Sequence, residues 1–411
     1  MGPTGILPGC SHLQSISDCD PQRATEAPHD LVVPAGSVAL CHFDNFHRGG
    51  ANNSGRVRYM LKWMYMRMEE PTEADWDHQD PRWPAPADLP PLANPQHYSP
   101  ALAESLWDYL RGEWQAPVEA RPVAASAAQR AVAEDDSVAA QTERLQAAHS
   151  LRFASPETQT EAVRLAVAKL CEAGAAEFDW EAHKEKERPL GFLNIADGPV
   201  AHALSALGLA AAPALVALLA GPELLDLAAH GVLVRAVAAC VLGGMGRRLL
   251  SVEPLAETAG RALAQALTDE SEWVRRNAAH ALGVLGPMPS AGLEAAVAQG
   301  LASLLSDNAE MVRANAAVAL ARRAPQVVPL GAQALHAVRG ELMRIVREPE
   351  TGVVSDDGIM QDKRLGRYSR FYALDALRRL VLAEGGGGSA EFLDYMMQQF
   401  WCPDTTASSP F

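Results

Sequence analysis

Two stretches in the second half of the chain match each other position by position. DESEWVRRNAAHALG begins at Asp269, and DNAEMVRANAAVALA begins at Asp307, 38 residues further on. Upstream, VRAVAACVLGGMG begins at Val234 and aligns with VRRNAAHALGVLG, which begins 40 residues later at Val274. A pattern that recurs about every 40 residues is typical of repeat proteins, in which each repeat packs only against its neighbours.

The spacing leaves room for two helices in each repeat. Between the copies lie further segments with helical periodicity that end alike, PALVALLA, GRALAQALTD and GLASLLSD. Arg370 starts another copy of the Arg-to-Leu pattern, 57 residues after Arg313, so an insertion intervenes. Both the string D-x(4)-V-R-x-x-A-A-x-A-L and the period resemble HEAT repeats. The sequence therefore predicts an α-solenoid of HEAT-type helical repeats over residues 151–400.

One apolar stretch is long enough to cross a bilayer. No Asp, Glu, Lys or Arg occurs between Pro199 and Pro222. Its residues are mostly small, Pro213 lies in the middle, and the stretch fits the repeat pattern. We therefore interpret it as helices buried between neighbouring repeats, and we expect no membrane contact.

Repeated charges allow two interpretations. A ladder of charges across repeats could bind a ligand, or an Asp in the turn between two helices could cap the second helix and pair with a nearby Arg. The second interpretation is favoured, because HEAT repeats generally use these positions in that way. The residues concerned are Asp269, Asp307, Arg235, Arg275 and Arg313.

An insertion with charges of both signs, around 347–367, interrupts the repeats. Insertions of this kind usually emerge on one face, so this segment is the best candidate for a recognition loop. A plain surface loop explains it equally well. The GGGGS segment at 385–389 predicts a flexible joint before a last helix.

Composition limits the partners. With 35 basic and 50 acidic residues, the net charge is −15, which argues against a nucleic-acid binder and mildly favours a basic protein surface as the partner of the solenoid. The six cysteines are far apart and form no C-x-x-C, so a reducing, cytoplasmic location is expected.

The N-terminal part has a different pattern. LVVPAGSVALCHFDNFHRGG predicts a strand, GANNSG a turn, and RVRYMLKWMYMR a second strand. His47 leaves the first strand, and Arg58 points from the next. A neutral imidazole can ligate Fe(II), and a guanidinium can bind the carboxylate of a chelating 2-oxo acid. This pair is therefore a candidate metal-plus-carboxylate site.

This segment resembles the phytanoyl-CoA dioxygenase family of Fe(II)/2-oxoglutarate oxygenases. GPTGILPGCSH is similar to the family's G-P-x-x-x-x-P-G-S-H, and DNFHRGGANNSGRVRY to its H-R-x-x-x-N-x-S-x-x-x-R-Y. The resemblance implies a partial double-stranded β-helix (jelly roll), with His47 as an iron ligand and Arg58 as the 2-oxoglutarate-binding residue. The predicted parts are a β domain over 1–71, a Trp/Pro-rich extension with a short helix over 72–115, a linker or loosely held helix over 116–150, and the solenoid.

The family's H-x-D motif is missing upstream of that segment, so the resemblance implies an N-terminally incomplete oxygenase with a HEAT scaffold, without a further catalytic residue. The alternative is a non-catalytic scaffold for protein binding. Three H-x-(D/E) triplets occur where chance gives about 1.5 at this composition, so they carry little weight. They are His42/Asp44, His78/Asp80 and His183/Glu185.

Overall fold

The computed structural model divides the chain into two compact units. The first contains Met1–Lys169 and Asp197–Ala210, and the second contains Leu170–Ala196 and Ala211–Phe411. The structure describes residues 4–7, 29–34, 36–42, 45, 47–51, 53, 71–74, 83, 99–112, 121–124, 126–134, 138–175, 198–220, 231–347 and 365–385.

The first unit begins with a sheet of three short strands. They are β1 (Thr4–Ile6), β2 (His29–Leu31) and β3 (His47–Gly49), in the order β2-β1-β3 with antiparallel pairing. Gly5 faces Asp30 on one side and Arg48 on the other. A Cβ at Gly5 would lie 3.0 Å from Arg48 Nε, so the small residue lets the Arg48 side chain lie across the sheet.

The predicted jelly roll does not appear in the residues that the structure describes near the N-terminus. Each strand there has three residues, and the described residues after β2 leave the sheet instead of continuing it. Val38 and Leu40, in the stretch after β2, are 89% and 95% exposed. The predicted second strand, from Arg56, lies outside the described residues.

Helices follow in the first unit. Ser99 caps the first of them, since its Oγ accepts a hydrogen bond from Leu102 N at 3.2 Å. Residues 138–151, part of the predicted linker, form a helix that packs against three others in this unit and buries Ala148. The helices are α1 (Pro100–Leu110), α2 (Ala127–Ala131), α3 (Val138–Leu151), α4 (Pro156–Ala175) and α5 (Pro199–Leu207).

The second unit is built from helix pairs. The first helices of the pairs are α6 (Ala212–Ala220), α9 (Glu253–Ala266), α11 (Ala291–Leu304) and α14 (Ala332–Arg347). The second helices are α7 (Gly231–Gly244), α10 (Glu272–Leu285), α12 (Glu310–Arg322) and α15 (Leu365–Ala383). Two single-turn helices, α8 (Arg247–Leu250) and α13 (Ala324–Val327), lie in connections.

Each second helix packs on the next, in the order α7, α10, α12, α15, and the first helices α9, α11 and α14 also contact in sequence order. The prediction of helical repeats is therefore confirmed. Small residues allow the second helices to approach closely: a Cβ at Gly243 would lie 2.5 Å from Ala281 Cα, and one at Gly283 would lie 2.8 Å from Ala319 Cα. Gly243 and Gly283 are equivalent positions in successive repeats, so one contact recurs along the stack.

The charge-free stretch from Pro199 is divided between α5 and α6 by a 3-10 turn at Gly208–Ala210. Its large side chains are buried, with Leu204 and Leu215 both at 0% exposure. Within the described ranges, no single helix is long and apolar enough to cross a membrane. One broken pair, 199–210 with 212–220, reaches that length and composition.

Candidate functional site

Of the two residues predicted to bind iron and 2-oxoglutarate, one belongs to the described part of the chain. His47 lies in β3 with an exposed side chain, and its Nδ1 is 2.9 Å from Asn45 O. Arg58 lies outside the described residues. Both assignments therefore stay predictions.

Of the three His-acid triplets, only His42 belongs to the part of the chain that the structure describes. In that same part, no three His, Cys, Asp or Glu side chains come together in a way that could hold a metal ion.

The repeated charges of the second unit form ion pairs between successive repeats. Arg235 on α7 binds Asp269 in the turn before α10, with Nε–Oδ2 at 2.8 Å and Nη2–Oδ1 at 3.1 Å. Arg275 on α10 binds Asp307 in the turn before α12 in the same way, at 2.7 Å and 2.9 Å. We call these two pairs the rungs. The paired geometry of two parallel N–H···O bonds fixes both distance and orientation between neighbours.

The same residues also stabilise the turns. Arg275 Nη1 donates to the carbonyls of Asp269 and Glu270, each at 2.9 Å, so this arginine binds its own turn and the next one. Asp269 Oδ1 accepts a hydrogen bond from Ser271 N at 2.9 Å. The predicted Asp–Arg pairing is confirmed, whereas the side chain that caps α10 is that of Ser271, which accepts from Trp273 N.

A different residue makes the link to the last repeat. Arg313 on α12 occupies the position of Arg235 and Arg275, but its Nη2 binds Glu310 Oε2 on its own helix, at 2.5 Å. The other oxygen, Glu310 Oε1, accepts a hydrogen bond from Ser369 N of α15 at 3.0 Å. Glu310 therefore connects the two second helices α12 and α15. The insertion between them lies outside the described residues. The repeat alignment did not predict this role.

A buried ion pair joins α10, α11 and α12. Arg323, which is fully buried, directs Nη2 at both Glu294 oxygens at 2.5 Å. Its Nη1 donates to the carbonyls of Leu282 and Gly286 at the end of α10, at 2.8 Å and 2.6 Å, and Glu294 Oε2 accepts from Met288 N at 2.8 Å. Burial lowers the pKa of Arg323 from its ordinary value, and Glu294 opposes that shift.

His280 is the most strongly perturbed histidine in the described repeats. Burial, and then the charges of Arg322 and Arg276, lower its pKa to about 3. Arg276 stacks on the Trp273 ring, with its guanidinium carbon 4.6 Å from the ring centroid. His280 is therefore neutral in the native repeats at neutral pH, in a surrounding that disfavours its protonated form.

This perturbation predicts a pH dependence of stability. The unfolded chain protonates His280 near pH 6.5, whereas the native chain does so only near pH 3. Below pH 6.5 the unfolded chain therefore binds a proton that the native chain does not bind. The stability of the native state is unaffected by this group above pH 6.5, and it falls as the pH decreases below that value. Between pH 7.5 and 5.5 we expect the free energy of unfolding to fall by about 1 kcal/mol through this group, measured by urea unfolding. His280→Gln should flatten this dependence, and His336→Gln, which changes an exposed histidine of α14, should not. Equal slopes in all three chains would contradict the prediction.

The rungs predict a second effect on stability. Asp307→Asn keeps the size of the side chain and the acceptor for Ala309 N, but it removes the charge that pairs with Arg275. Because the pair is largely buried, with 18% and 8% of the two side chains exposed, we expect a loss of about 1–2 kcal/mol in unfolding free energy, measured by chemical denaturation. The matched control is Glu161→Gln, which removes an exposed pair with Arg164 on α4 and should cost little. A loss no larger than that of the control would show that the rungs do not hold the repeats.

Comparison with known proteins finds a family match for part of the repeat region. Residues 233–329 match the family model of Cnd1, the non-SMC mitotic condensation complex subunit 1. Among solved structures, the designed armadillo repeat protein YIII(Dq)4CqI aligns over 62% of this chain and 99% of its own, at 18% identity and a TM-score of 0.33. No curated protein matches the chain. The family match thus falls on α7, α10, α12 and the helices between them.

The resemblance of residues 1–71 to the phytanoyl-CoA dioxygenase family is wrong. The matching family model is that of Cnd1, and it covers the repeats instead of the segment with His47 and Arg58. The predicted Fe(II)/2-oxoglutarate oxygenase function is therefore wrong too. Fe(II) and 2-oxoglutarate as cofactors remain untested predictions. The error has a physical basis, because the Gly, Pro, Asn and Ser of those motifs are the residues that any strand–turn–strand segment uses.

Proposed function

We propose that this chain is a non-catalytic scaffold of HEAT-type repeats that binds a protein partner. The observation that carries the proposal is the stack of second helices α7, α10, α12 and α15. Ion pairs and close contacts of small residues fix α7 to α10 and α10 to α12, and a hydrogen bond from Ser369 N to Glu310 Oε1 links α12 to α15. A stack of this kind presents side chains of successive repeats in a regular row, which suits recognition of an extended protein surface.

The family match supports the same proposal for residues 233–329. The matching family is that of a subunit of the mitotic condensation complex. Assembly with other proteins is therefore the property that we extend to this chain. A cytoplasmic location and a recognition role for the insertion at 347–367 stay predictions.

The charge of the repeats refines the expected partner. Over 231–347 and 365–385, the sequence has 16 arginines, no lysine and 11 acidic residues, so this region is net positive although the whole chain is net negative. Many of these arginines are engaged in ion pairs within the second unit. The basic partner suggested by the charge of the whole chain is thus not expected for the repeats.

Cross-linking of the full-length chain in cells tests the proposal. The absence of lysine from these repeats calls for a carboxylate-reactive reagent, and Glu270, whose side chain is 88% exposed, is a suitable reporter. We expect one partner at a fixed stoichiometry, with its cross-links concentrated on the repeats, and direct binding of that partner, once purified, to the purified chain.

Glu270→Gln is the matched control, since it should remove the cross-link at that position without removing the partner. Recovery of the chain alone, at its own mass, would contradict the proposal. Cross-links scattered over many proteins without a fixed stoichiometry would contradict it equally.

A further inference from the structure

One position on the second helices carries an arginine in both α12 and α15. This position, the row position, lies nine residues after the repeated arginine of each second helix, and it is at least partly exposed in all four. Its occupants are Gly244 in α7, Val284 in α10, Arg322 in α12 and Arg379 in α15. Because α12 packs on α15, two guanidinium groups occupy equivalent places on neighbouring helices.

The two arginines of the row position act on each other. Burial and then the charge of Arg379 lower the pKa of Arg322 from its ordinary value, and Tyr372 opposes that shift. Arg322 in turn acts on α10, since its charge helps to lower the pKa of His280 there. The positive field around Arg322 therefore reaches three successive second helices.

Little negative charge balances this field within the described ranges. Asp375 is shared, since its Oδ1 accepts from Arg378 Nη2 at 2.9 Å and its Oδ2 accepts from Arg379 Nε at 2.8 Å. No described carboxylate pairs with Arg322, and its Nε has no hydrogen-bond partner there. Holding like charges together costs free energy, which an anion bound between them would offset. Such an anion could reach Arg379, whose side chain is 29% exposed.

We propose that Arg322 and Arg379 bind carboxylates of an acidic segment of the protein partner. This inference rests on the proposed function, to which it adds the chemistry of the partner. A planar guanidinium holds a carboxylate through two parallel N–H···O bonds, so two arginines on adjacent helices suit two acidic side chains of one segment. A short acidic segment needs only this local field, whereas a nucleic acid extends over many phosphates and would meet the net charge of −15.

Fluorescence anisotropy of a labelled hexaglutamate peptide, titrated with the full-length chain, tests the proposal. We expect saturable binding that weakens as the salt concentration rises. Arg322→Gln and Arg379→Gln should each weaken it by about tenfold, the usual effect of losing one charged hydrogen-bonding contact. Arg322→Lys keeps the charge without the paired geometry, so it should lose less affinity than Arg322→Gln. Unchanged far-UV circular dichroism and melting temperature would show that the variants are folded.

The matched control is Arg261→Gln on α9, which removes the same charge from an arginine that is 68% exposed and pairs with Glu257. Its affinity for hexaglutamate should equal that of the unchanged chain. The proposal is overturned if hexaglutamate does not bind, or if neither row variant binds it more weakly than the control does. Tighter binding of a hexathymidylate would overturn it as well, in favour of a nucleic acid. If Arg322→Gln does not fold, Arg379→Gln decides, because that side chain is partly exposed.

The cross-linking experiment separates this inference from the proposed function. A partner recovered by cross-linking, together with no binding of hexaglutamate, would leave the scaffold and remove only its recognition of acidic segments. Recovery of the chain alone would contradict the scaffold and this inference together.

Discussion

Glu294→Gln should lower the free energy of unfolding of the second unit by about 3–5 kcal/mol, the usual cost of leaving one partner of a buried ion pair without the other. The glutamine is nearly the same size, so no large cavity forms. Arg323, however, keeps its charge at 0% exposure and loses the carboxylate charge opposite it, because the amide oxygen of glutamine can replace only one of the two contacts at 2.5 Å. Urea unfolding followed by circular dichroism measures the loss.

The double variant Glu294→Leu/Arg323→Leu separates an unpaired charge from lost packing. Removing both charges avoids the desolvation cost, and Arg323 stands where the earlier repeats have Met245 and Leu285. We therefore expect the double variant to recover most of the stability, less the bonds to Leu282 O, Gly286 O and Met288 N. A double variant less stable than Glu294→Gln would show that the bonds to these backbone groups matter more than the charge pair.

The repeat region could be predicted because the same residues recur at equivalent positions in successive repeats. The same Val-Arg pair, the same Ala positions and the same Asp appear in successive copies, so periodicity fixes helices, turns and the identity of the rungs. Asp269 and Asp307 were correctly paired with arginines on this basis. Each aspartate pairs with the arginine of the preceding repeat, because stacking places the turn of one repeat beside the second helix of the repeat before it.

The features outside the repeat pattern could not be read in this way. Arg323 and Glu294 are 29 residues apart, and this pair is not repeated in the other copies. No recurring spacing therefore predicts that the two side chains are in contact. Glu310 was hidden for a related reason, since its second contact, to Ser369, crosses the insertion. A charged residue at a position that is apolar in the other copies was the available signal for Arg323.

The prediction for the N-terminal segment, residues 1–71, was wrong for the opposite reason. Its prediction depended on short motifs without a repeat to check them, and such motifs carry little information about distant contacts. His47 lies in a strand, but it begins a strand of three residues, whereas the pattern predicted one long strand that His47 leaves. Residues 32–34 and 36–42 of that predicted strand are not in strands. A strand position alone does not identify a ligand, because the other groups of a site must come from elsewhere in the fold.

Gly283→Ala should destabilise the second unit by about 2–3 kcal/mol, although alanine favours helices more than glycine does. The added Cβ would lie 2.8 Å from Ala319 Cα and 2.9 Å from Ala319 Cβ, so α10 and α12 would have to move apart. Such a movement would also strain the Arg275–Asp307 rung, which joins α10 to the turn before α12. Thermal and urea unfolding measure the loss.

The same substitution at Gly292 is the control, and it should have the opposite sign. Gly292 lies in α11, where an added Cβ meets nothing within 4 Å, so Gly292→Ala should stabilise the unit by about 0.5–1 kcal/mol through helix propensity alone. The pair of variants therefore isolates helix spacing from backbone entropy. If both variants raise the stability, α10 and α12 can move apart at little cost. The close contact of Gly283 with Ala319 would then not set the distance between these two helices. If Gly283→Ala lowers the stability while Gly292→Ala raises it, the close approach at Gly283 limits how closely α10 and α12 can stack, and a residue without a Cβ is required at that contact.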